Sequence, residues 1–233
     1  RARLAAGHAV HDRECIAARR EVGRLRFAVL QPGHIGVRPL DEQTGDVVVF
    51  VSRCYPIGSP AKQDIVLMKT DGTMFWSRVT DDNVSESSPV IGSAGGANDQ
   101  LAIYFVSNKD GGTGIWKQII DPVNDGLVGP QTLFANNVAG GGISINATYD
   151  QMAYMKNVGG VTHIMVKPLM GGVEVDLGIG TSPYWASNEM IFYQNNGSHV
   201  VSSDGTRRKQ VPVPKNLSGW PIVNALSSIV LVP

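Results

Sequence analysis

Four stretches decide the fold: Asp46-Val-Val-Val-Phe-Val-Ser-Arg53, Leu101-Ala-Ile-Tyr-Phe-Val-Ser-Asn108, Gln151-Met-Ala-Tyr-Met-Lys-Asn157 and Glu189-Met-Ile-Phe-Tyr-Gln-Asn195. Laid over one another from their first residues, they repeat one strand pattern, and Ser227-Ser-Ile-Val-Leu-Val-Pro233 is a fifth copy. Short runs of β-branched and aromatic residues closed by polar ones are strands. Each copy follows a segment that opens on small or turn residues: His34-Ile-Gly-Val37, Ser87-Ser-Pro-Val90, Gly142-Ile-Ser-Ile145, Thr181-Ser-Pro-Tyr-Trp185 and Ser218-Gly-Trp-Pro-Ile222. These openings lie 37 to 55 residues apart. That spacing matches the roughly 40 to 50 residues of a four-stranded propeller blade.

A third strand follows in each full unit, at Asp64-Ile-Val-Leu-Met-Lys-Thr70, Gly114-Ile-Trp-Lys-Gln-Ile119, His163-Ile-Met-Val-Lys-Pro168 and His199-Val-Val-Ser-Ser203. Turns such as Thr70-Asp71-Gly72 and Ser203-Asp204-Gly205 supply the positive φ that tight hairpins need. Outer fourth strands read at residues 75–80, 131–134, 173–177 and 208–213. The chain is therefore expected to be all-β, with full blades at 34–80, 87–134, 142–177 and 181–213. Residues 218–233 hold the first two strands of a fifth blade, and residues 1–33 align with its third and outer strands. A single five-bladed β-propeller over residues 1–233, closed by strands from both termini, removes the open edges that a linear stack of sheets exposes. The rival reading of residues 1–23 is an amphipathic helix, since Ala, Arg and Glu dominate there.

The composition agrees with this architecture: 42% hydrophobic and 17% charged residues exclude general disorder, and 27 glycines with 13 prolines in no collagen-like period imply many turns. Twenty basic against twenty acidic residues leave no net field, so nothing in the charge points to nucleic acid or an anionic membrane as partner. No apolar run approaches the roughly 18 residues of a spanning helix. The two cysteines, Cys15 and Cys54, form no Cys-x-x-Cys, which argues against a zinc cage. One disulfide between them stands open against two separate thiols packed in a β core; the bond needs Cα atoms within about 7 Å.

The run Asp64-Ile-Val-Leu-Met-Lys-Thr-Asp-Gly72, then Arg78-Val-Thr80, Ser87-Ser-Pro-Val90 and residues 101–108, resembles the TolB-type, WD40-like propeller repeat. The likeness covers the first two blades. The fourth keeps Thr181-Ser-Pro-Tyr-Trp185 and Ser203-Asp-Gly205, while the third lacks both the Ser-Pro and the Asp-Gly signature. The resemblance implies the fold and leaves function open, because such propellers serve as periplasmic adaptors, peptidase accessory domains, lyase scaffolds and cell-surface modules.

A propeller binds at the mouth of its channel, built from first strands and the connections between blades. Residues 34–40, 87–93, 142–147, 181–186 and 218–224 contain no Asp or Glu, so the carboxylate pair of a propeller glycosidase is missing. Glu86 borders the mouth and, between Ser85 and Ser87, reads as a solvated loop residue. No catalytic residue, metal site or cofactor motif is expected. The pair His8 and His11 is read as a surface pair, and clusters such as Gly140-Gly141-Gly142 lack phosphate-loop spacing. The candidate ligand-binding set is Trp185, Trp220, Tyr184, His34, Asn146 and Asn224, suited to stacking on a sugar or gripping an extended peptide. The alternative for both tryptophans is a wedge between blades.

Four sequons, at Asn83, Asn146, Asn196 and Asn216, favour an exported protein, so the compartment is expected to be extracellular, periplasmic or cell-surface. The function expected is non-catalytic binding of a protein or glycan at the rim and mouth. The alternatives are a carbohydrate-active enzyme on the same scaffold and a structural subunit of a surface or particle assembly.

Overall fold

The computed structural model describes residues 35–38, 47–52, 63–69, 76–95, 100–121 and 126–211. Its strands are β1 (Ile35–Arg38), β2 (Val47–Ser52), β3 (Asp64–Lys69), β4 (Trp76–Arg78), β5 (Ser87–Ser93), β6 (Leu101–Ser107), β7 (Gly114–Asp121) and β8 (Gly126–Ala135). They continue with β9 (Val138–Ile145), β10 (Gln151–Val158), β11 (Val161–Pro168), β12 (Val175–Ile179), β13 (Thr181–Trp185), β14 (Met190–Gln194), β15 (Ser198–Ser202) and β16 (Arg208–Val211). No helix occurs among the described residues, so none there is long and apolar enough to cross a membrane. The strands form four antiparallel four-stranded sheets, each paired in chain order: β1 to β4, β5 to β8, β9 to β12 and β13 to β16. The first strands stand side by side, β5 against β1, β9 against β5 and β13 against β9, so the sheets radiate from one inner row.

The sheets pack face to face through apolar layers. Val49, Ile65 and Leu67 of the first sheet meet Leu101, Ile103, Phe105 and Trp116 of the second. Ala102, Tyr104 and Val106, on the opposite side of β6, meet Met152, Tyr154 and Met165 of the third. Ala153, Ile164 and Val166 then meet Trp185, Ile191 and Tyr193 of the fourth. Because side chains alternate along a strand, each interior second strand serves two interfaces at once, and β6 is buried along its whole length.

This two-sidedness corrects the alignment by first residues. That alignment puts Tyr104 over Tyr154, yet the two face each other across one interface, with Tyr104 on the following side of its sheet and Tyr154 on the preceding side of its own. The pairings Ser93↔Leu101, Ile145↔Met152 and Trp185↔Ile191 make Ile103, Tyr154 and Tyr193 the equivalent positions. The third sheet also begins at Val138, before the expected Gly142.

Several turns follow from local chemistry. Gly159 and Gly160, at φ 60° and 87°, make the two-residue turn between β10 and β11, where two successive left-handed residues match the strand twist. Since strands alternate in direction, connections 79–86, 136–137 and 180 lie at one end of the sheets with hairpins 108–113, 159–160 and 195–197. This end is called the rim below. Residues 1–33 and 218–233, with the closing blade and the terminal helix alternative, lie outside the described residues, as do Cys15 and Cys54.

Candidate functional site

The first strands start at the rim, and two of them start with the same irregularity. Pairing of β5 with β6 jumps from Ser87↔Val106 to Val90↔Tyr104, and pairing of β13 with β14 jumps from Thr181↔Gln194 to Tyr184↔Phe192. In each case two residues oppose one, a β-bulge, and they are Ser88-Pro89 and Ser182-Pro183. The serines adopt left-handed φ of 51° and 53°. Proline is tolerated there because a bulged residue has no ladder bond to lose. The Ser-Pro signature is thus a backbone device. The third sheet, which lacks it, makes a wider irregularity between Val138↔Lys156 and Ile143↔Tyr154, with Gly140 at φ 94°.

These irregular starts form the mouth. Ser88 donates its hydroxyl proton to Gly141 O, linking β5 to β9, and a Cβ on Gly141 would lie 2.7 Å from that hydroxyl. The Ser182 amide points at Met155 Sδ, 3.3 Å away, linking β13 to β10. Gly140, Gly141, Thr181, Ser182 and Tyr184 are exposed, Tyr184 at 40%. None of β5, β9 and β13 carries an acid.

The expected ligand-binding residues separate into groups. Tyr184 is presented at the mouth. Trp185 is the wedge: only 7% exposed, it packs in the layer between the third and fourth sheets, and its indole N–H donates to Ser144 O at 3.0 Å. Asn146 is buried and holds the β9–β10 turn. Its Oδ1 accepts from the Asp150 and Gln151 amides, each at 3.1 Å, and its Nδ2 donates to Thr148 Oγ1 at 2.8 Å and Asp150 Oδ1 at 2.6 Å. His34, Trp220 and Asn224 lie outside the described residues.

Glu86 requires a correction. Read from its serine neighbours as solvated, it has no exposed surface. Its Oε2 accepts from Thr80 Oγ1 at 2.9 Å and its Oε1 from Ser107 Oγ at 3.3 Å, while Thr80 Oγ1 itself accepts from the Ile65 amide at 2.9 Å. Glu86 therefore bridges the end of the first sheet and the end of β6 in the second. Burial pushes its carboxyl up to about 7, with the Asp82 carboxylate adding to the rise and the two hydroxyl donors opposing it. The signal that escaped sequence reading is the pair of hydroxyls at 80 and 107, which only the packed sheets bring together.

Other polar groups near the rim are already engaged. Lys109 lies 3.7 Å from the Trp116 ring centroid and donates to Gln131 Oε1. His163 Nδ1 sits 2.9 Å from Asp176 Oδ2. Among the described residues no three His, Cys, Asp or Glu side chains converge on a point where a metal ion could bind.

Solved structures share this architecture. A TolB structure from Agrobacterium tumefaciens superposes with a TM-score of 0.52 at 13% identity, over 79% of this chain and 64% of that one. The fold is the TolB-type β-propeller. An oligogalacturonate lyase from Vibrio parahaemolyticus matches this propeller at TM-score 0.50 and 7% identity, over 76% and 59% of the two chains. TolB from Acinetobacter baumannii matches at TM-score 0.48 and 16% identity, over 70% and 39%. The chain thus spans less than two thirds of each of these structures. No family model matches the sequence, and no curated protein does.

Proposed function

We propose that this propeller is a non-catalytic binding module with five blades, closed by residues 1–33 and 218–233, that holds a protein segment or a glycan at its rim. The observation that carries the reading is the mouth itself. Tyr184, Thr181, Ser182 and the bare backbone of Gly140 and Gly141 are exposed on adjacent first strands that hold no acid. Such a surface stacks on an apolar face and bonds to hydroxyl or peptide groups, and it offers no acid or base to a reacting bond. A compartment outside the cytoplasm, the periplasm included, fits the TolB-type fold. The balanced charge fits a neutral ligand better than nucleic acid.

One observation favours a second reading, a carbohydrate-active enzyme. Glu86 has the near-neutral carboxyl of a general acid or base, and one structural neighbour is a lyase. Against it, both oxygens of Glu86 are held by protein hydroxyls and the group is enclosed. A glycan array, an oligogalacturonate turnover assay and a pulldown with the full chain separate the readings. The expected result is saturable binding without turnover, weakened by about 1 to 3 kcal/mol in Tyr184→Ala with the melting temperature unchanged. Turnover abolished by Glu86→Gln would establish the enzyme instead.

A further inference from the structure

Met155 sits beneath the mouth, where the third and fourth sheets meet. Pairing of β9 with β10 passes from Ile143↔Tyr154 to Val138↔Lys156, so residues 139–142 oppose Met155 alone. Three of those four residues are glycines. A Cβ on Gly142 would lie 3.0 Å from Met155 Cε and 3.9 Å from its Sδ, and one on Gly140 would lie 3.8 Å from Cε. The methionine side chain reaches on to the fourth sheet, where the Ser182 amide donates to Sδ at 3.3 Å. Ser182 is the left-handed residue of the β13 bulge, at φ 53°. Met155 is half-buried while Gly140, Gly141 and Ser182 around it are exposed, and no side chain at positions 140 to 142 covers the thioether. Met152 and Met165, by contrast, are enclosed in the layer between the second and third sheets, and Met170, 66% exposed, stands at the end of the sheets away from the rim.

We propose that Met155 is a methionine-oxidation site through which hydroperoxides reshape the mouth. The sulfur lone pair attacks the outer oxygen of the hydroperoxide. An S–O bond forms, the O–O bond breaks, and the departing oxygen takes up the proton to leave as an alcohol or water. Sulfur is oxidised by two electrons and the peroxide is reduced by two. The product is a polar, chiral sulfoxide that methionine sulfoxide reductases return to the thioether. A thioether is a weak acceptor, whereas the sulfoxide oxygen is a strong one, so the Ser182 amide keeps a partner with an oxygen now inserted between it and sulfur. Sulfur and amide must move apart. The part that yields is the bulge Ser182-Pro183, which has no ladder bond to hold it. The consequence for ligand binding rests on the reading of the mouth as the binding surface; the oxidation and the shift of Ser182 do not.

The test uses the full chain without a ligand and therefore stands apart from the binding reading. Wild type and Met155→Leu, a swap that keeps the apolar volume, are treated with hydrogen peroxide. Peptide mapping by mass spectrometry follows each methionine, amide NMR follows Ser182, and circular dichroism follows the fold. In the wild type Met155 should gain an oxygen before Met152 and Met165 do, the Ser182 amide resonance should shift in step with that gain, and the circular dichroism should stay constant. In Met155→Leu, peroxide should leave the Ser182 resonance where it was. A Met155 that stays reduced until Met152 and Met165 react overturns the proposal, and so does a Ser182 resonance that ignores Met155 oxidation or shifts equally in Met155→Leu. Loss of the folded signal in step with Met155 oxidation overturns it too, because it marks unfolding rather than a change confined to the mouth. If the leucine variant fails to fold, the wild-type peptide map and Ser182 resonance decide alone.

Discussion

Replacing Trp185 by alanine should cost stability rather than affinity. The indole is 7% exposed, fills the layer between the third and fourth sheets beside Ala153, Ile164 and Tyr193, and donates to Ser144 O at 3.0 Å. A buried tryptophan hides about 150 to 250 Å². At about 25 cal/mol per Å² that is worth about 4 to 6 kcal/mol before the neighbours relax, and Trp→Ala in cores costs about 3 to 5 kcal/mol. The lost hydrogen bond adds about 1 kcal/mol and leaves Ser144 O without that donor. Trp185→Phe, which keeps most of the apolar volume, should lose about 1 to 2 kcal/mol by the same accounting. Urea titrations followed by circular dichroism measure both variants. For a chain of 233 residues, 3 to 5 kcal/mol corresponds to roughly 10 °C in melting temperature. A folded Trp185→Ala protein with an unchanged midpoint and lost ligand binding would show that the indole faces the ligand, and the wedge would be wrong.

Three further outcomes are expected. Glu86 holds its proton more tightly folded than unfolded, so its contribution is complete below the unfolded value near 4.5 and disappears as pH rises toward about 7. Glu86→Gln should flatten that window, gaining up to about 3 kcal/mol on the wild type by pH 8, and equal pH profiles in denaturant titrations would refute this. Asn146→Ala should lose about 1 to 3 kcal/mol, because one buried amide satisfies four partners in the β9–β10 turn; a wild-type melting curve would return Asn146 to the list of ligand residues. Gly95→Ala forces a left-handed residue at φ 68° to carry a Cβ 2.8 Å from Met170 Cα, and its urea midpoint should fall by the equivalent of about 1 to 3 kcal/mol.

The strand repeat was legible in the sequence because apolar runs and turn residues are local signals, and Asp204-Gly205 takes the positive φ expected of it at Gly205. The register between repeats was not. Register is read from alternation of apolar and polar residues, and strands such as Leu101–Ser107, buried on both faces, have none. At the site, Tyr184 could be placed from its strand, whereas Glu86 could not. Its burial depends on Thr80 and Ser107, and the latter is 21 residues away. Asn146 is an intermediate case. Asn146-Ala-Thr-Tyr-Asp150 carries the side-chain-to-backbone chemistry of a turn, and that chemistry decides its role at the end of β9 away from the rim.

The sharing of each second strand between two interfaces bears on how such a chain can change its length over evolution. A residue added to the hairpin at Gly159-Gly160 shifts nothing beyond the turn. One added inside β10 turns Tyr154 toward the fourth sheet and Ala153 toward the second, mismatching both interfaces at once. Insertions and deletions should therefore collect in rim connections and hairpins, or arrive as whole sheets. Variation in a propeller of this kind is then quantised: residues at the rim, where recognition is tuned, and entire blades elsewhere.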